Sequence, residues 1–105
     1  MAHVRVAALE ELPPGAKLVV VIQGVSILIV NAEGQLYALA ETCSHAKAAL
    51  SAGEFDPDEL TVECPLHGSC FDVRTGKPRN LPAFAPVATY PVSVEDAAVF
   101  VDYND

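Results

Sequence analysis

The chain is poor in the residues that most metal and nucleic-acid chemistry demands. Among 105 residues there are only three cysteines, Cys43, Cys64 and Cys70, so no four-thiolate centre can be assembled from one subunit. That excludes a rubredoxin-like iron site, a Cys₄ zinc site and a plant-type iron–sulfur cluster. Basic residues are also scarce: Lys and Arg number 6 against 14 Asp and Glu, for a formal net charge of −8. A surface of that sign repels phosphate backbones and anionic lipid, so nucleic acid is not an expected partner. The longest apolar stretch, Leu18 to Val30, is interrupted by Gln23, Gly24 and Ser26 and is too short to span a bilayer. Met1 to Arg5 has no basic start leading into an apolar run, so the expected compartment is the cytoplasm. Histidine is limited to His3, His45 and His67, too few for a second centre of the two-His, one-carboxylate kind beside any site that uses two of them.

Helical periodicity is missing as well. β-Branched residues and turn signals alternate along the chain, which predicts an all-β domain over residues 1–105 with one modest core. A half-buried strand is expected around His3–Val6. Strands at Lys17–Ile22, Val25–Val30 and Gln35–Leu39 are joined by tight turns at Gln23-Gly24 and 31–34 as an antiparallel meander, and the Lys17–Ile22 strand is apolar on both faces. Ala46–Leu50 is expected to form a helical turn and Gly53–Glu59 an acidic, solvated loop. Leu60–Glu63 and Cys70–Val73 then form a hairpin. Pro78–Pro86 is a stiff connection, and Val87–Val94 with Ala98–Val101 closes the fold as a hairpin across Glu95-Asp96.

Against this background two short segments stand out. Cys43-Ser44-His45 and Cys64-Pro65-Leu66-His67 each carry one thiol and one imidazole, and 18 residues (Ala46 to Glu63) separate them. Structural zinc sites more often draw two Cys from one turn and two His from another. If each loop gives its Cys to one iron and its His to the other, a two-iron, two-sulfide centre results, with Cys₂ on one metal and His₂ on the other. Structural zinc is the competing use of the same donors and predicts a colourless protein. Pro65 and Gly68 suit a tight turn around an inorganic core. His3 is expected to be a surface residue near a mobile terminus and Cys70 a small buried hydrophobe.

Cys43-Ser44-His45, then Cys64-Pro65-Leu66-His67-Gly68-Ser69-Cys70-Phe71-Asp72 and Thr75-Gly76, resemble the Rieske signature. The chain is most similar to the small Rieske ferredoxins of bacterial aromatic-ring-hydroxylating dioxygenase systems. The resemblance implies an antiparallel β-sandwich with a small cluster-binding subdomain of two ligand-bearing hairpin loops. It implies one [2Fe-2S] cluster held by Cys43, His45, Cys64 and His67, covered by a proline loop at Asn80–Ala83. The respiratory-complex branch joins its ligand loops by a disulfide, which Ala48 and Leu66 rule out here. By the same resemblance Ser69 keeps a hydroxyl near the cluster, while Phe71 lacks the hydroxyl of a Tyr found in high-potential relatives. A potential at the low end of a window of about −150 to +300 mV is therefore expected. The function implied is single-electron transfer from a flavin-dependent NAD(P)H:ferredoxin reductase to a terminal oxygenase, by a monomer with no catalysis of its own. The alternative is a small Rieske subunit of an assimilatory nitrite reductase. Lys47, Arg74, Lys77 and Arg79 cluster in sequence around the ligand loops and suggest a basic docking tip.

Overall fold

A computed structural model describes residues 2–43, 48–66, 68–80 and 85–103. Ten strands and two 3-10 turns (Leu9–Glu11 and Leu50–Ala52) make up the regular structure among them, the strands being β1 (Ala2–Ala8), β2 (Lys17–Ile22), β3 (Val25–Ala32), β4 (Gln35–Ala40), β5 (Phe55–Asp56), β6 (Thr61–Glu63), β7 (Cys70–Asp72), β8 (Thr89–Tyr90), β9 (Val92–Glu95) and β10 (Ala98–Tyr103). They form three antiparallel sheets, ordered β1-β10-β9, β2-β3-β4-β8 and β5-β6-β7. The first two sheets form a sandwich. The third carries the second candidate ligand loop.

The expected meander is present. Ile22 faces Val25 across Gln23-Gly24, and Ala32 faces Gln35 across Glu33-Gly34, with positive φ at all four turn residues. Such two-residue turns carry the right-handed twist that neighbouring strands need. The closing hairpin turns at Asp96-Ala97, one residue later than expected, because Glu95 pairs with Ala98 and both turn residues take φ near +50 to +60° (52° and 61°).

One expectation changes. Val87–Val94 does not run as one strand. Pro91 has no N–H for a ladder, and the chain changes sheet there: Thr89 and Tyr90 pair with Leu39 and Ala38 of β4, whereas Val92 pairs with Val101 of β10. The strand buried on both faces is β3, whereas β2, apolar on both faces as expected, lies at an edge. Alternation sends Ile27 and Ile29 into a core shared with Val99, Val101, Ala7 and Leu12, and sends Leu28 and Val30 into a second core with Val62, Phe71, Val73 and both Cys43 and Cys64. All four of these β3 side chains are fully buried. β2 is an edge strand, and its Val19 and Val21 reach solvent. Within the acidic 53–59 stretch, Phe55-Asp56 pairs with Val62-Thr61, and the Asp56 carboxylate accepts the N–H groups of Asp58 and Glu59. The helical turn expected at Ala46–Leu50 lies partly outside the described residues, and a 3-10 turn occupies Leu50–Ala52.

Candidate metal centre

β4 delivers the chain to Cys43, and the first loop is closed at its feet. Thr42 bridges Ala49, the Cys43 N–H donates to Ala48 O (2.9 Å), and the Leu50 N–H donates to Glu41 O (2.7 Å). Glu41 is buried, and its carboxylate accepts both the N–H and the hydroxyl of Ser51. From β2, the Lys17 ammonium donates to the carbonyls of Ser51 and Gly53. A buried carboxylate and an ammonium therefore fix the far foot of this loop to the sandwich.

The second loop is the tip of the β6–β7 hairpin. Glu63 pairs with Cys70, the Cys64 N–H donates to Ser69 O (2.7 Å), and the Gly68 N–H donates back to Cys64 O (3.0 Å). Gly68 takes φ +75°, a conformation that costs a residue with a Cβ. The reversal keeps Cys64 and Ser69 at 0% exposure while Pro65 and Leu66 stand in solvent, Leu66 at 62%.

Cys43 and Cys64, at 4% and 0% exposure, belong to one apolar cluster although they come from different loops. Two thiols that share a dry pocket fit a soft, thiolate-binding iron centre. His45 and His67 lie outside the described residues, as do Lys47 and residues 81–84 of the expected cover loop; the backbone bonds above bracket the two histidines in sequence. Among the described residues no group of three or more His, Cys, Asp or Glu could hold a metal ion.

The structure revises three site expectations. His3 sits in β1 opposite Asp102, with its ring stacked on Phe100 at 4.5 Å. Its Nδ1 lies 2.6 Å from Asp102 and its Nε2 2.8 Å from Glu95. Carboxylates only accept, so both contacts favour the doubly protonated ring, and its pKa is raised first by Asp102 and then by Glu95. The terminus is tied down there. Cys70 is half-buried rather than buried, with its Sγ 3.8 Å from Gly68 O, and burial followed by the nearby Glu63 pushes its thiol pKa up.

The basic tip is partly offset by one carboxylate. Arg74 and Arg79 both bond the carboxylate of Asp72, at 2.8 and 3.1 Å, while Lys77 is exposed. The Arg74 guanidinium, and more weakly that of Arg79, holds the Asp72 carboxyl far below the usual carboxylate range. Sequence reasoning placed Asp72 inside a motif without a role, and Asn80, which bonds the second loop through its side chain, inside a cover loop. Neither pairing has a signature in spacing.

Comparison with known proteins agrees with this architecture. The Rieske [2Fe-2S] domain profile matches residues 2–91. The ferredoxin subunit of 3-phenylpropionate/cinnamic acid dioxygenase from Shigella flexneri serotype 5b (strain 8401) is 46% identical over 76 residues, 72% of this chain and 71% of that protein. The ferredoxin of carbazole 1,9a-dioxygenase from Nocardioides aromaticivorans IC177 superposes with a TM-score of 0.91 at 40% identity, covering 96% of this chain and 97% of the other. A ferredoxin-containing structure described as a complex of reduced oxygenase and oxidised ferredoxin in carbazole 1,9a-dioxygenase matches at 0.88 and 33% identity, over 94% and 91%. A β-sandwich with two thiol-bearing loops converging on one buried cluster, matched along most of its length, makes this chain a member of the Rieske [2Fe-2S] domain family, an electron carrier with one [2Fe-2S] cluster as its cofactor.

Proposed function

We propose that this chain is the ferredoxin of an aromatic-ring-hydroxylating dioxygenase system, passing single electrons from a flavin-dependent NAD(P)H:ferredoxin reductase to a terminal oxygenase in the cytoplasm. It works as a monomer and as one domain over residues 1–105. Cys43 and Cys64 are the thiolate ligands and His45 and His67 the imidazole ligands. The observation that carries this reading is the placement of Cys43 and Cys64, on separate loops, in one apolar cluster.

The bound cluster supplies one reversible electron per molecule. The chain's own contribution is position and insulation. Leu28, Val30, Leu39 and Phe71 exclude water from the thiol side. Pro65 and Leu66, next to His67 in sequence, give a partner an exposed apolar contact on the ligand loop. Among the described residues no helix is long and apolar enough to cross a membrane. Because Arg74 and Arg79 share the one carboxylate of Asp72, that group keeps a single positive charge, and with Lys77 and Lys47 it steers partners to the tip.

The test is anaerobic stopped-flow with purified components. NADH and a flavin reductase should reduce the chain by one electron, and a reduced chain mixed with oxidised terminal oxygenase should be reoxidised, with aromatic diol formed on admission of oxygen. Transfer to a nitrite reductase in place of the oxygenase would overturn the assignment of partner.

A further inference from the structure

The outer edge of β7 shows how the chain leaves the ligand hairpin. Residues 77–79 run antiparallel to β7: the Asp72 N–H donates to Lys77 O (2.9 Å), Phe71 bridges Pro78, and the Arg79 N–H donates to Cys70 O (2.7 Å). In a continuing ladder the next bonds would join the Cys70 N–H to the carbonyl of residue 79, and the carbonyl of Gly68 to the N–H of residue 81. Both β7-side groups are met by one side chain. Asn80 Oδ1 accepts the Cys70 N–H at 2.7 Å, and Asn80 Nδ2 donates to Gly68 O at 3.1 Å.

The partners fix the amide's orientation, since a backbone N–H only donates and a carbonyl only accepts. They also call for a carboxamide. A hydroxyl is too short to reach both groups, and Asp offers no donor to Gly68 O. Gly68 and Cys70 flank Ser69, whose carbonyl receives the Cys64 N–H, and Gly68 itself donates to Cys64 O. The carboxamide thus grips the return limb of the second ligand loop from outside. A second tie from the same segment is the Arg79 guanidinium on Asp72.

We infer that Asn80 is a positioning residue: its carboxamide takes up the Cys70 N–H and the Gly68 carbonyl that a continuing ladder would use, and so locks the Cys64–Ser69 loop at one register. The inference rests on the ligand reading above only in its spectroscopic arm.

The experiment compares the holoprotein with Asn80→Ala and Asn80→Asp. Hydrogen exchange followed by mass spectrometry over the peptide containing Cys70 should speed by about tenfold in Asn80→Ala, the weight of two modest hydrogen bonds. In Asn80→Asp, which keeps the acceptor, the Cys70 amide should stay slow. Electron-paramagnetic resonance of the reduced cluster should show broadened g-values in both variants at unchanged iron and sulfide content, because Gly68 O has lost its donor in both. Wild-type exchange in Asn80→Ala, or wild-type line widths in Asn80→Asp, overturns the inference. Should Asn80→Ala fail to load iron, Asn80→Asp decides on line width alone. If His67→Ala keeps the Rieske signal, the ligand assignment falls while the exchange result still judges Asn80.

Discussion

Asp72→Asn is the substitution that should reveal how the ligand hairpin is held. The Asp72 side chain is 11% exposed and accepts four hydrogen bonds: Oδ1 from the Arg74 N–H (2.8 Å) and Nε (3.1 Å), and Oδ2 from Nη2 of Arg74 (2.8 Å) and of Arg79 (3.1 Å). An amide can keep the Arg74 N–H on its oxygen, but its NH₂ then meets two guanidinium donors. Bonds to a charged group are worth about 1.5–3 kcal/mol each when desolvated. The two arginine side chains are 49% and 39% exposed, which moves their share toward the roughly 0.2–1 kcal/mol of surface pairs. The sum is a loss of about 2 kcal/mol. With a urea m-value near 2 kcal/mol/M, the midpoint should fall by about 1 M. The sign with pH follows from the depressed native pKa. Stability from a depressed carboxylate is complete above its unfolded pKa of about 3.9 and is lost as pH falls through the folded value. The gap between the proteins should therefore be equal at pH 7 and pH 5. Urea titrations of the holoprotein, read by far-ultraviolet circular dichroism and by the visible band, provide the test. A gap below about 0.3 M, or one that closes by pH 5, would refute the reasoning.

Further outcomes follow from other contacts. His67→Ala should abolish the Rieske electron-paramagnetic signal while Cys70→Ser keeps it, and the reverse result would exchange their roles. The His3 imidazolium, with its raised pKa, contributes stability in full below about pH 6.5 that fades as pH rises through its higher folded value. The urea midpoint of wild type should accordingly exceed that of His3→Gln at pH 6 and converge on it by pH 9; a constant difference would mean that the stacking on Phe100, not the charge, matters. Gly53→Ala should cost about 1–3 kcal/mol and impair iron loading, because a Cβ there would lie 1.7 Å from Glu63 O although its φ of −91° is ordinary. An unchanged midpoint would show that the backbone of Glu63 gives way freely.

The sequence made the meander and the ligand hairpin legible because two-residue turns at Gln23-Gly24 and a Cys-Pro-Leu-His reversal announce themselves locally. Pro91 was equally visible, yet its effect was not: a proline ends a ladder without saying which sheet the chain joins next. The Leu-Val-Val-Val-Ile composition of β2 equals that of a central strand and carries no mark of its edge position; only the sheet order and the exposure of Val19 and Val21 show it. The pairing of Cys43 and Cys64 as candidate donors came from residue type and spacing, and both lie in one apolar cluster. The groups that hold their loops, Glu41, Lys17, Asp72 and Asn80, could not be read that way, since each acts through a partner distant in sequence or through a backbone group.

The division of β3 between two cores has a consequence for turnover. Sheet β5-β6-β7 has strands of only two or three residues, too few to stand without the wall of Leu28, Val30 and Leu39, and on the ligand assignment proposed above the cluster would tie its loop to the first one. A chain stripped of iron would retain its sandwich, closed around Ile27 and Ile29, while the opposite face of the same strand came into contact with water. Oxidative loss of the cofactor would then create an adhesive, aggregation-prone form of an otherwise folded protein, recognisable to proteases and chaperones by the apolar side of β3.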